Sequence, residues 1–145
     1  TAVVIGRRGP ITASVDGQMR FWNRRGVLVD QLQTSSPIVG LIAKEGLVAW
    51  VQADGGIRIL REGQSQPIQL PGHHGAGRAL AFREDGYFIS GGEDGRLLVY
   101  DGVQEGPVQE ISVPAPVHDL AVSERVLAVA CEGGKIFLYR RESKK

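Results

Sequence analysis

Apolar and polar residues alternate along almost the whole chain, in short runs broken by glycine, proline and acidic residues. A period of two sends every second side chain to the same face of an extended strand. The pattern predicts strands over 2–5, 11–15, 18–22 and 27–32, then over 38–43, 47–52, 57–60 and 67–70. It continues with strands over 78–82, 87–91, 96–100 and 109–113, and over 117–122, 126–131 and 135–139. Helical periodicity is not evident in any segment. Acidic-glycine steps such as Asp85-Gly86 and Asp94-Gly95 separate the runs. Glycine reaches positive φ without steric cost, so these steps read as tight hairpin turns.

One phrase recurs four times: SVDGQMRFW (Ser14 to Trp22), QADGGIRIL (Gln52 to Leu60), GEDGRLLVY (Gly92 to Tyr100) and CEGGKIFLY (Cys131 to Tyr139). The closing residues Trp22, Leu60, Tyr100 and Tyr139 lie 38, 40 and 39 residues apart. A period near 40 residues (about 40–45 in one common repeat) with several short strands per copy is the signature of a β-propeller. The expected fold is therefore all-β, with four blades at approximately 1–34, 35–72, 73–114 and 115–145. A blade buries its faces only against neighbouring blades, so the chain reads as one unit. Four copies fit a small closed ring, half of a larger ring, or part of a longer protein.

Both ends bear on closure. The first unit opens directly on its innermost strand, and the chain starts at Thr1 rather than methionine, as if processed or cut from something longer. The last unit is expected to lack its outer strand, because the tail Arg140 to Lys145 is too polar to supply one. An open sheet edge invites pairing with another chain. Ring closure is thus expected to need another chain or copy, unless the last blade stays three-stranded.

Composition excludes some classes of function. The 145 residues carry a formal net charge of +1, which gives no global field for nucleic acid. The single cysteine, Cys131, cannot form an intrachain disulfide, which fits an intracellular setting, cytoplasmic or nuclear. No apolar run approaches the roughly 18 residues of a membrane-spanning helix.

The third unit resembles a WD40 repeat. Gly72-His73, Ser90 and Asp94 match that repeat in order and spacing, with Tyr100 in place of its closing tryptophan. The first unit matches at Thr12, Asp16 and Trp22. The second keeps Asp54 but has Trp50 where Ser is expected, and the fourth has Val129 and Gly133 at the Ser and Asp positions. The resemblance implies a structural tetrad in which His, Ser or Thr, Asp and Trp pin the strands of a blade. It also implies a non-enzymatic scaffold for protein–protein interaction. The last two units, with Val113-Pro114-Ala115 before an inner strand, further resemble the closing blades of a ubiquitin-binding WD40 family that includes the phospholipase-activating protein. That resemblance implies ubiquitin as a partner.

Candidate chemistry is sparse. His73 and His74 are adjacent, but His118 lies far along the chain and no carboxylate is spaced to complete a zinc site, so no metal is expected. The acids Asp16, Asp54, Glu93, Asp94 and Glu132 occupy equivalent turns, where Asp before Gly is turn chemistry rather than a catalytic pair. No nucleophile motif or phosphate-binding loop is present, so neither catalytic residues nor a cofactor are expected.

Two rims remain. Arg7-Arg8 and Arg24-Arg25, each followed by glycine, fall in turns on the same end of the first blade. Four arginines there could hold a phosphoinositide or another anion bidentately, dock a protein, or form a plain solvated rim. The opposite end carries Val15, Ala53, Arg78, Glu93, His118 and Glu132. The resemblance implies partner docking on that face, with Arg78, Glu93, His118 and Glu132 as candidate contacts. Trp50 reads either as buried packing or as an exposed anchor.

Overall fold

A computed structural model describes residues 2–141. These described residues form fifteen strands. The first sheet comprises β1 (Ala2–Ile5), β2 (Pro10–Ala13), β3 (Gln18–Trp22) and β4 (Leu28–Gln33). The second comprises β5 (Ile38–Lys44), β6 (Leu47–Gln52), β7 (Ile57–Arg61) and β8 (Ile68–Leu70). The third comprises β9 (Gly77–Phe82), β10 (Phe88–Gly92), β11 (Arg96–Tyr100) and β12 (Gln109–Ser112). The fourth holds β13 (Val117–Val122), β14 (Val126–Cys131) and β15 (Lys135–Arg140), with a short helical turn at Glu132–Gly134. All neighbouring strands are antiparallel, and each sheet follows sequence order. Among the described residues no helix is long and apolar enough to cross a membrane.

Every expected strand is present, with ends that differ from the expected ones by at most two residues. The largest difference is at β2, expected to run to Val15. It stops at Ala13 because the Ser14 amide bonds the Gln18 carbonyl at 3.0 Å and the Gly17 amide bonds the Ser14 carbonyl at 3.0 Å. Those bonds close the turn and leave Val15 and Asp16 at its tip.

The innermost strands succeed one another: β1 packs on β5, β5 on β9, and β9 on β13. No comparable contact joins β13 to β1 among the described residues. Among the described residues the four sheets form an arc with three such junctions. Each junction has its own apolar core. Ile11, Ala13 and Met19 meet Ile38, Leu41, Val48 and Trp50 at the first. Ala49, Val51, Ile57 and Ile59 meet Phe88, Leu98 and Tyr100 at the second. Ile89, Leu97 and Val99 meet Val117, Leu120, Leu127 and Val129 at the third. Strands sandwiched between two junctions are buried on both faces, as all six residues of β6 and all five of β10 are. This is why their sequences, LVAWVQ and FISGG, lack the charged alternation of β4.

Close packing at the second junction depends on Gly77. A Cβ there would lie 2.2 Å from Val51 Cγ2 and 2.8 Å from the Gln52 carbonyl oxygen. Gly77→Ala is expected to cost about 2 kcal/mol through overpacking, measured by urea denaturation. An unchanged midpoint would show that β9 can retreat without loss.

Candidate functional site

The third blade contains the most developed polar site. His73 enters from the connection between β8 and β9, its amide held by the Gly55 carbonyl of the second blade at 3.0 Å. Its ring lies against Gly92, where a Cβ would come within 2.6 Å of His73 Cγ. His73 Nδ1 is 2.9 Å from Asp94 Oδ1, and Nε2 is 2.9 Å from Ser90 Oγ. Asp94 is ionised and can only accept, so the Nδ1 proton faces it and Nε2 accepts from the serine hydroxyl.

The other Asp94 oxygen accepts the His74 amide at 3.0 Å and Arg96 Nε at 2.8 Å. Burial works against the charged carboxyl, but the His74 amide, Arg96 and His73 together outweigh it and hold the group at about 2. Burial also pushes the His73 imidazole below its ordinary value, partly offset by the hydrogen bond to Asp94. Tyr100 directs its hydroxyl to the Pro71 carbonyl and stacks on Phe88 with centroids 5.0 Å apart. Burial raises its phenol to about 12.

Ser, His and Asp in this order carry nucleophilic catalysis in hydrolases, where the serine hydroxyl must be open to a substrate carbonyl. Ser90 is 0% exposed. The relay pins β9, β10 and the β10–β11 turn to the preceding blade.

The other blades use different hardware at the same place. In the first, Trp22 Nε1 donates to Thr12 Oγ1 at 3.0 Å, while Asp16 caps its own turn by accepting the Gln18 amide at 2.9 Å. Asp16 is therefore apart from the Thr12–Trp22 pair. In the second blade the hub is Gln52, which sequence reasoning passed over. Its Oε1 accepts Trp50 Nε1 at 3.3 Å and Arg58, and its Nε2 reaches Asp54 Oδ1 at 3.4 Å. The signal was a polar residue two positions after Trp50, on the same face of an otherwise apolar strand. Trp50 itself is fully buried at the first junction. The fourth blade carries Val129 and Phe137 at the matching positions and packs there by apolar contact.

The arginines gather at one end of the arc. Arg8 Nε donates to Glu62 Oε1 at 2.8 Å and Arg7 to Glu62 Oε2 at 3.5 Å, linking the first blade to the second. Arg24 donates to the Arg7 carbonyl at 3.4 Å. The Arg25 amide bonds Asn23 Oδ1 at 2.9 Å, and the residue is exposed. At the opposite end Arg78 pairs with Glu93, whose amide bonds the Ala76 carbonyl at 2.9 Å. His118 and Glu132 are exposed there on the fourth blade, and the Glu132 amide bonds the Pro116 carbonyl at 2.9 Å. Among the described residues no cluster of three His, Cys, Asp or Glu side chains could hold a metal ion.

A groove of about 990 Å³ opens between the first two blades at the arginine end. Pro10, Phe21, Leu32, Val48 and Leu60 supply apolar walls, and Arg7, Arg8, Lys44, Glu45, Arg61 and Glu62 lie around them.

No known family model matches this sequence, and no curated protein does. Solved structures do match its shape. The crystal structure of the computationally designed Ika4 protein aligns with a TM-score of 0.87 at 22% identity, over 97% of this chain and 89% of the other. The computationally designed Ika8 protein aligns with a TM-score of 0.82 at 22% identity, over 97% of this chain and 45% of the other. At that identity the likeness concerns fold alone. With the four antiparallel sheets and their successive junctions, it makes this chain an all-β protein of propeller-like architecture, its last blade three-stranded.

Proposed function

We propose that this chain is a non-enzymatic protein-interaction scaffold of WD40 type, and that it docks an extended segment of a partner in the groove between its first two blades. The groove carries the reading. Its volume sits at the upper end of the roughly 300–1,000 Å³ of binding clefts, and it combines apolar walls with a few charged groups. Its walls are strands of two packed sheets, so little ordering cost falls on the protein side. Arg7 and Arg8 share one carboxylate, Glu62, so an acidic residue of the partner would compete for them directly. The buried Ser90 supports the non-enzymatic part of the reading.

Selection from a displayed random-peptide library tests it. Peptides with an apolar residue beside acidic ones are expected to enrich on the wild-type chain. Arg7→Glu with Arg8→Glu, or Val29→Glu in β4, a residue that also lines the groove, should weaken the selected peptides by about tenfold or more. Both arginines and Val29 are exposed, so these variants keep their fold. Equal enrichment on wild type and variants would overturn the groove as the docking site. Ubiquitin, implied by the closing-blade resemblance, is tested by titration into isotope-labelled chain. An unshifted spectrum rejects it. The anion reading of Arg7, Arg8, Arg24 and Arg25 predicts flotation with phosphoinositide vesicles that charge reversal abolishes.

A further inference from the structure

The registers allow the blades to be superimposed residue by residue. Thr12 pairs with Arg20, Trp50 with Arg58, Ser90 with Leu98 and Val129 with Phe137, so these are equivalent positions. One residue before each third-strand partner stand Met19, Ile57, Leu97 and Ile136. The first three are fully buried against the following blade, whereas Ile136 is 70% exposed. Leu138, equivalent to the buried Ile59 and Val99, is also 70% exposed.

The first blade shows the converse. Val3 pairs with Thr12 and is therefore equivalent to Leu41, Leu80 and Leu120, each packed at the junction with the preceding blade. Val3 is 66% exposed and Ile5 74%. The arc ends in two apolar faces, and each is the kind of surface that the other kind covers at all three internal junctions.

Charge follows the same rule. At two internal junctions the turn after a blade's first strand meets the end of the third strand of the next blade. Arg7 and Arg8 reach Glu62 in this way, and Asp85 reaches Arg141 at 3.4 Å. Applied to a fourth junction, the rule brings Glu124 of the last blade to the turn holding Arg24 and Arg25. Glu124 now crowds Glu84, whose carboxyl is held above its ordinary value by that contact.

We propose that two copies of this chain close head to tail, the fourth blade of each packing on the first blade of the other, with Ile136 and Leu138 against Val3 and Ile5 and Glu124 against Arg24 and Arg25. Such a contact is heterologous and either closes or grows without limit. Two arcs of four blades make eight, the upper end of the usual range of about 4–8. The arc also aligns with just under half of a longer solved chain.

Light scattering across a concentration series tests this. The expected mass is twice the 15.6 kDa of one chain. Val3→Glu and Leu138→Glu should each give a folded single chain, since both side chains face solvent in the isolated arc. Mixed together they should recover a two-chain species, because each retains the face the other lacks. Glu124→Arg should weaken the dimer about tenfold, and adding Arg24→Glu and Arg25→Glu should restore it. Three results overturn the proposal: a wild-type mass of one chain at every concentration, a mass that keeps growing, or a dimer that survives Leu138→Glu alone. The first would also mean that something other than a second copy covers the two faces. Peptide docking in the groove is read separately, so either reading can fail alone.

Discussion

Asp94→Ala is expected to lower folding stability by about 3 kcal/mol at neutral pH, since it strips a largely buried network of the carboxylate at its centre. Four donors would lose their acceptor: His73 Nδ1, the His74 and Arg96 amides, and Arg96 Nε. The loss should depend on pH in a defined direction. The Asp94 carboxyl titrates at about 2 in the folded chain against 3.8 for the ordinary group. Its stabilisation is present above about pH 4 and fades as pH falls towards 2. The shift corresponds to about 2 kcal/mol at 1.36 kcal/mol per pK unit.

His73 acts earlier and in the same sense. Its folded value lies below 6.5, so stability is lost as pH drops through that value and the unfolded chain takes up the proton first. Urea midpoints for wild type and Asp94→Ala, compared at about pH 7 and about pH 3, should converge on acidification. An equal gap at both would show that the carboxylate is not what holds the site.

Trp50→Ala is expected to cost about 3–5 kcal/mol, the largest effect of any single truncation in the first junction. The side chain is fully buried between the first two blades, among Ile11, Ala13 and Met19 from one and Ile38, Leu41 and Val48 from the other. Its removal leaves a cavity that two rigid sheets close poorly, and it takes a donor from Gln52. Trp50→Phe keeps most of the apolar contact while Arg58 continues to serve Gln52 Oε1, so it should cost about 1–2 kcal/mol. Chemical denaturation of the pair decides the matter. A loss under about 1 kcal/mol for Trp50→Ala would place the side chain outside the folding core.

Strand order was legible because local chemistry dictates it. Acidic-glycine turns and period-two alternation are properties of neighbouring residues, and they located even β8, a strand of three residues. His73, Ser90 and Asp94 were legible through the resemblance of the third unit to a WD40 repeat, whose tetrad they match in order and spacing. Gln52 was not, because its importance comes from Trp50, Arg58 and Asp54 converging on it only after β6 and β7 pair. The Arg7–Glu62 and Arg8–Glu62 pairs cross between blades, 55 and 54 residues apart, beyond any local pattern.

The sequence by itself determined four repeated units of strands, their turns, and the placing of Arg7, Arg8, Arg24 and Arg25 on one end. Those follow from backbone geometry and a fixed period. Tertiary structure decided the rest. It turned Trp50 into core, made Ser90 inaccessible, and opened a groove between the first two blades. It also left Val3 and Ile5 at one end of the arc, and Ile136 and Leu138 at the other, in solvent. An apolar residue on a strand reads the same whether its neighbour is another blade or water. Only the angle at which sheets pack settles how far an arc of four has turned, and so which of those residues remain uncovered.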